Sequence, residues 1–218
     1  VSLDPDVMIL NLEAKAATDE AGYEEKLAAV GIPIVFVDFR EKPFEHTAKS
    51  MELIGQLYGK EERAAEFNAF FTEQMGKVQS VIAAQTELTR PLVFVERAGG
   101  YSEDCCMSFG AENFGRMVDE AGGTNMATPF IPGTFGTVNA EQIVASDPEL
   151  VIVTGGNWEA YVPGGAWVGV APGADMAAAK AKLDALMQRP AFVGTKAVKN
   201  GRHGEGIDRH HQRECSRN

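Results

Sequence analysis

Basic residues are scarce in this chain: 20 Lys and Arg stand against 31 Asp and Glu, giving a formal net charge of −11 over 218 residues. That balance argues against the basic face that nucleic-acid binding needs. Cysteine is rarer still, at three residues, too few for a disulfide scaffold. No apolar run approaches the roughly 20 residues of a membrane helix, and no basic segment followed by an apolar stretch opens the sequence. Several enzyme signatures are missing too. There is no G-x-x-x-x-G-K-[ST] phosphate loop, no H-E-x-x-H zinc helix and no G-x-S-x-G nucleophile elbow. Of the four His, only His46 comes before position 203, and it reads as an exposed polar residue near the start of a helix. What is plentiful is apolar: 44% of the residues can bury a core, at a length that suits one large domain or two small ones.

The pattern along the chain alternates strand and helix. Pro5 stops a helix, and Val7 to Leu10 form a continuous apolar run, as in a parallel strand covered on both faces. A short helix is expected from Glu20 to Val30, ended by Gly31, and a buried strand from Ile34 to Val37. Strand, helix, strand is the parallel α/β unit. A helix from Pro43 to Tyr58 breaks at Gly59, and a longer one follows from Lys60 to Thr86. Its apolar stripe, Phe67, Phe71, Met75, Val78 and Ile82, has the helical period. At about 1.5 Å per residue it is roughly 40 Å long, enough to span two lobes. Thr89-Arg90-Pro91 ends the pattern and a strand begins at Leu92. Further helices are expected at Asn113 to Ala121, at Asn139 to Ser146 and at Asp175 to Met187. The second carries an Asn139/Gln142 capping box. Leu150 to Val153 is another buried strand, and 157–173 reads as a loop too long for a mere connector.

Residues 1–10 line up with residues 144–153: each reads as helix end, Asp-Pro-acid, then buried strand. Alone this is a common helix-to-strand junction. With a long helix between the copies, it suggests two similar α/β lobes. The expected organisation is a partial N-terminal lobe over 1–58, an inter-lobe helix over 59–88, a C-terminal lobe over 89–202 and a disordered tail over 203–218. Much of a lobe precedes the second copy and almost nothing the first, so the chain is expected to begin inside its first lobe. The tail has one aliphatic residue, Ile207, after Gly201. His210, His211 and Cys215 resemble a metal cluster by composition, but disorder is the better account of them.

Residues 3–7 with 30–33, 110–114 through 120–123, 139–143 through 154–156, 189–192 and 196–202 occur in an order and spacing that resemble one family. It is the periplasmic substrate-binding proteins of ABC importers for iron–siderophore and cobalamin-like ligands. The resemblance implies two Rossmann-like lobes with parallel sheets joined by one long helix, the class III periplasmic binding protein fold, with the first lobe incomplete. It implies a monomer that captures a ferric siderophore or similar metal chelate in the periplasm. The chelate would be delivered to an inner-membrane ABC permease with no cofactor and no chemistry on the ligand. Cobalamin or haem is the alternative ligand. A bare-metal importer lacks support, because the body of the chain does not offer the His and carboxylate ligands.

In α/β lobes the loops after the carboxyl ends of strands face the ligand crevice. Arg97 follows the strand at Leu92, and a guanidinium there suits an anionic chelate; the competing reading is a surface Arg paired with Glu96 or Glu103. Tyr101 shares that loop. Trp158, Tyr161 and Trp167 cluster after the strand at Leu150 and are costly to expose, so they cover either ligand or core. Trp158 and Tyr161 are favoured for the ligand. Adjacent Cys105 and Cys106 form either a vicinal disulfide or two thiols, and two soft ligands are too few for a metal site. The alternative of another class is an α/β redox enzyme built on that pair. Glu112 begins the helix at Asn113, where the dipole favours a carboxylate. By resemblance it matches the second-lobe Glu that pairs with a permease Arg, and its first-lobe counterpart would precede Val1.

Overall fold

The computed structural model of the chain describes residues 5–103, 105–170 and 173–203. His210, His211, Cys215 and the first four residues of the repeat lie outside these. The chain divides into two compact units between Ala84 and Gln85.

The first unit opens with β1 (Met8–Asn11), a 3₁₀ turn at Leu12–Ala14, α1 (Lys15–Glu20), α2 (Tyr23–Ala28) and β2 (Ile34–Val37). β1 and β2 pair in parallel, Met8 opposite Ile34. The single helix expected from Glu20 to Val30 is instead two, because Gly22 adopts a left-handed φ of 62° between them, a conformation that costs glycine little. β1 is half-buried rather than covered on both faces, having β2 as its only strand partner among the described residues. α3 (Pro43–Tyr58) and α4 (Glu61–Ala83) follow. α4 is shorter at its end than the expected Lys60 to Thr86. It lies against α3 where Gly55 meets Ala64, and Ala64 is its only buried residue. Along the apolar stripe, Phe67 and Phe71 stack at 6.3 Å, while Phe67 and Val78 remain exposed.

At the carboxyl end of β2 the buried Asp38 organises the turn into α3. Its carboxylate accepts from the backbone N–H groups of Arg40, Glu41 and Lys42 at 2.8–3.0 Å and lies 2.7 Å from His46 Nδ1. Burial alone would push this carboxyl up. The hydrogen bonds from Arg40, His46, Lys42 and Glu41 outweigh it and hold the group below its ordinary value of 3.8. His46 is therefore half-buried on a carboxylate, not a free surface residue.

The second unit is built on β3 (Leu92–Glu96), β4 (Met107–Phe109), α5 (Phe114–Glu120), β5 (Thr124–Asn125), β6 (Phe135–Thr137), α6 (Ala140–Ser146), β7 (Leu150–Val153), α7 (Met176–Met187) and α8 (Lys196–Lys199). β3 is the centre of a parallel sheet ordered β5-β3-β7. Side chains alternate across it. Phe94 and Val151 face a core with Ile143, Leu186, Met187 and Phe192, while Val93 and Val95 face Phe109 and Val118. Coverage on both faces is what an unbroken apolar run in a central parallel strand requires. The Asn139 capping box forms as expected: Asn139 Oδ1 accepts from Glu141 N, and Gln142 Oε1 accepts from Asn139 N. β4 and β6 make a short antiparallel pair that periodicity does not announce. At the far end, Arg202 O accepts from Val151 N and His203 bridges to Val151 in parallel, so the described chain continues onto the sheet at the first position assigned to the tail.

Two expectations follow. A Cβ on Gly55 would stand 2.7 Å from Ala64 Cβ, so Gly55→Val should force α3 from α4 and lower stability in urea unfolding by about 1–3 kcal/mol. Asp38→Ala should cost about 2–3 kcal/mol at neutral pH through its lost charge-assisted hydrogen bonds. The wild-type carboxyl is depressed, so its stabilisation is complete above its ordinary value and lost as pH falls through the folded pKa. The stability difference between wild type and Asp38→Ala should therefore shrink on acidification below 3.8.

Candidate functional site

Parallel pairing of β3 with β7 brings the segments 97–101 and 154–168 out at the same edge of the sheet. The two are laced together. Thr154 N donates to Glu96 O, Gly99 N to Thr154 O and Val168 N to Gly99 O, all at 2.8–2.9 Å, and Gly156 N donates to Val168 O. Gly100 lies so close to the backbone of Ala166 that no side chain fits there. The segments expected to carry site residues after β3 and after β7 therefore emerge side by side.

Arg97 is half-buried. Its N–H donates to Met107 O at 2.8 Å, its guanidinium stacks over the Phe135 ring at 4.4 Å, and Nη1 lies 3.7 Å from Met107 Sδ. Among the described residues it forms no ion pair with Glu96, Glu103 or any other carboxylate. Arg97 is thus a cation set on apolar neighbours, Phe135 and Met107.

The aromatic residues divide into two groups. Tyr101 meets Trp158 edge-on at 5.3 Å, and Trp158 lies 6.2 Å from Tyr161, which is 74% exposed. Trp158 Nε1 is buried and has no hydrogen-bond partner. Trp167 makes different contacts. Its Nε1 donates to Val162 O at 3.0 Å, Lys182 Nζ sits 3.9 Å over its ring, and it lines a cavity of about 320 Å³ with Asn157, Asp175 and Lys182. In the first unit a separate cavity of about 160 Å³ is lined by Asp38, His46, Lys49 and Phe36.

Glu112 does not open α5 directly. Asn113 is the N-cap and its side chain accepts from Phe114 N. The Glu112 carboxylate accepts from the Thr134 hydroxyl at 2.6 Å. It is held by a side chain rather than by free helix N–H groups, and it is half-buried.

Cys105 and Cys106 are joined as a vicinal disulfide. Sequence reasoning misses what lies beside them. Glu96 ends β3 with 3% exposure, and burial pushes its carboxyl up to about 8 against the pull of Arg189. Glu96 Oε2 and Arg189 Nη1 are both buried without a hydrogen-bond partner. The one sign in the sequence is an acid, Glu96, closing the apolar run of β3.

No helix among the described residues is long and apolar enough to cross a membrane. A search of curated protein sequences returns no match. Solved structures do match. The TroA-like periplasmic binding protein FepB from Veillonella parvula superposes with a TM-score of 0.78 at 25% identity, over 93% of this chain and 57% of its own. The chain thus spans little more than half the length of that relative. The periplasmic heme-binding protein RhuT from Roseiflexus sp. RS-1 gives 0.65 at 19% identity, covering 93% of this chain and 67% of its own. The molybdate-bound MolA from Haemophilus influenzae gives 0.65 at 14% identity, over 93% and 57%. The profile of the periplasmic binding protein family matches residues 1–203, and the fold is the class III form of that family. Such proteins hold a transported substrate, carry no resident cofactor and are not enzymes, which removes the reading of Cys105 and Cys106 as a redox catalyst. With two α/β units on parallel strands and a match that runs through both, the chain belongs to the periplasmic binding protein family.

Proposed function

We propose that this chain is the solute-capturing part of an ABC importer that takes a ferric siderophore or similar anionic metal chelate outside the cytoplasm and delivers it to an inner-membrane permease. The observation that carries the reading is Arg97: a half-buried guanidinium with no carboxylate partner among the described residues, on the segment after β3, with the Tyr101–Trp158–Tyr161 group on the segments after β3 and β7. The cation suits the negative charge of a chelate and the rings suit its flat aromatic or conjugated parts. In this reading Arg97, Tyr101, Trp158 and Tyr161 touch the ligand, Trp167 supports the loop behind them, 59–88 is the connector between lobes, and the protein works as a monomer. The second reading is haem or cobalamin. It draws on the same rings and on the exposed Tyr161 phenol, since a Tyr oxygen can ligate haem iron.

Fluorescence titration tests this, because the chain has two Trp in different settings. Ferric catecholate, ferric hydroxamate, haemin and cobalamin are each added in turn. The expected result is saturable quenching by a ferric chelate that Trp158→Phe removes and Trp167→Phe largely keeps. Arg97→Ala should weaken that chelate by about 1.5–3 kcal/mol, roughly ten- to a hundredfold. Unchanged affinity in Arg97→Ala would remove Arg97 from the site, and saturation by haemin alone would select the second reading.

Glu112 is assigned to the permease contact. An acid at a fixed place on the surface sets docking register more than it adds affinity. Glu112→Ala should leave chelate affinity within about twofold while lowering permease ATPase stimulation, and Glu112→Arg should lower it further by setting like charges together. A tenfold loss of chelate affinity in Glu112→Ala would place the residue in the ligand site instead.

A further inference from the structure

In the second unit the fold brings Glu96 to the adjacent Cys105 and Cys106. One ligand atom from each lies within 4.8 Å of the other two. Cys106 is fully buried, Cys105 half-buried and Glu96 3% exposed. Two features say that this cluster is more than a buried disulfide with an acid beside it. Glu96 Oε2 has no hydrogen-bond partner, although an unpaired buried polar atom costs about 1–3 kcal/mol. Arg189, whose charge acts on Glu96, anchors its other nitrogen on Ser102 O at 3.0 Å, on the loop that leads to the cysteines.

We propose that the reduced Cys105–Cys106 pair and the Glu96 carboxylate form a site for a thiophilic divalent cation of the zinc–cadmium class, opened and closed by the redox state of the pair. The donor set suits the ion: two soft thiolates and one carboxylate are ligands that zinc accepts, with a fourth position left open. Ligand atoms about 2.0–2.3 Å from a tetrahedral centre stand roughly 3.3–3.8 Å apart, so the two sulfurs, bonded in the oxidised pair, part to that spacing on reduction, while the Glu96 oxygen already lies within 4.8 Å of both. Charge also balances. Two thiolates and a carboxylate around a divalent ion leave one negative charge, and the Arg189 guanidinium offsets it. Cys105, being half-buried, provides the way in.

The chemistry has two steps. A dithiol reductant gives two hydrogens to the Cys105–Cys106 disulfide and leaves as its own cyclic disulfide, freeing two thiols. The cation then displaces the two thiol protons, and the carboxyl proton where one is carried, to solvent. In the disulfide form neither sulfur is a thiolate donor, so the oxidised protein holds no ion. The sequence offers two soft ligands, and the fold supplies the third.

Cadmium titration followed by the ultraviolet thiolate-to-cadmium absorption band is the test, on the whole chain with Cys215→Ser to remove the remaining thiol. The oxidised protein should show no band. After reduction and removal of the reductant, the band should grow to one cadmium per chain. Glu96→Gln should weaken cadmium at least tenfold, Glu103→Gln should not, and Cys105→Ser should lower the absorption per cadmium. Comparison of the oxidised with the reduced Cys215→Ser chain needs no substitution at the site itself. A reduced protein without the band, a band of equal strength in the oxidised protein, or a Glu96→Gln titration identical to wild type would each overturn the proposal.

Discussion

Parallel pairing of β3 with β7 imposes a direction on the second unit: both strands finish at the same edge, so whatever follows either of them must share that edge. Phe94, Val95 and Val151, all fully buried, fix the pairing. A register slip of one residue would send Phe94 to the face now held by Val93 and Val95. The hydrogen bonds from Gly99, Thr154 and Val168 then fasten the two emerging loops to each other. The segments that carry Arg97 and the Trp158 group owe their adjacency to this packing.

Much of this architecture is legible in the sequence. β2, β7 and α3 fall where their apolar runs and bounding Gly or Pro place them, and Asn139 with Gln142 announces a helix start that forms bond for bond. What escapes is structure with no local period. The β4–β6 ladder is three residues a side and includes Gly136, too short for alternation to register. Gly22 divides a helix by adopting a backbone angle that its neighbours in sequence do not betray. For the proposed site, position after the strands is what singles out Arg97 and the aromatic loop. The separation of Trp167 from Trp158 depends on Val162 and Lys182, the latter on a distant helix. The meeting of Glu96 with Cys105 and Cys106 is likewise tertiary.

Buried polar groups are handled in two ways. Asp38 is nearly saturated with donors and holds its turn rigid. Glu96, Arg189 and Trp158 each retain a buried polar atom without a partner. Buried groups of the first kind stabilise the native state, whereas those of the second kind carry a desolvation cost already present in the folded protein.

Trp158 shows what such a cost does for discrimination. Its indole N–H has been stripped of water before any ligand arrives. In the proposed site, a solute with an oxygen at that point recovers an energy the empty protein lacks, while a solute of equal shape presenting only carbon leaves the donor stranded. Selection between them then comes from the rejection of the wrong one, which pays the full penalty of a polar group shut away with nothing to bond.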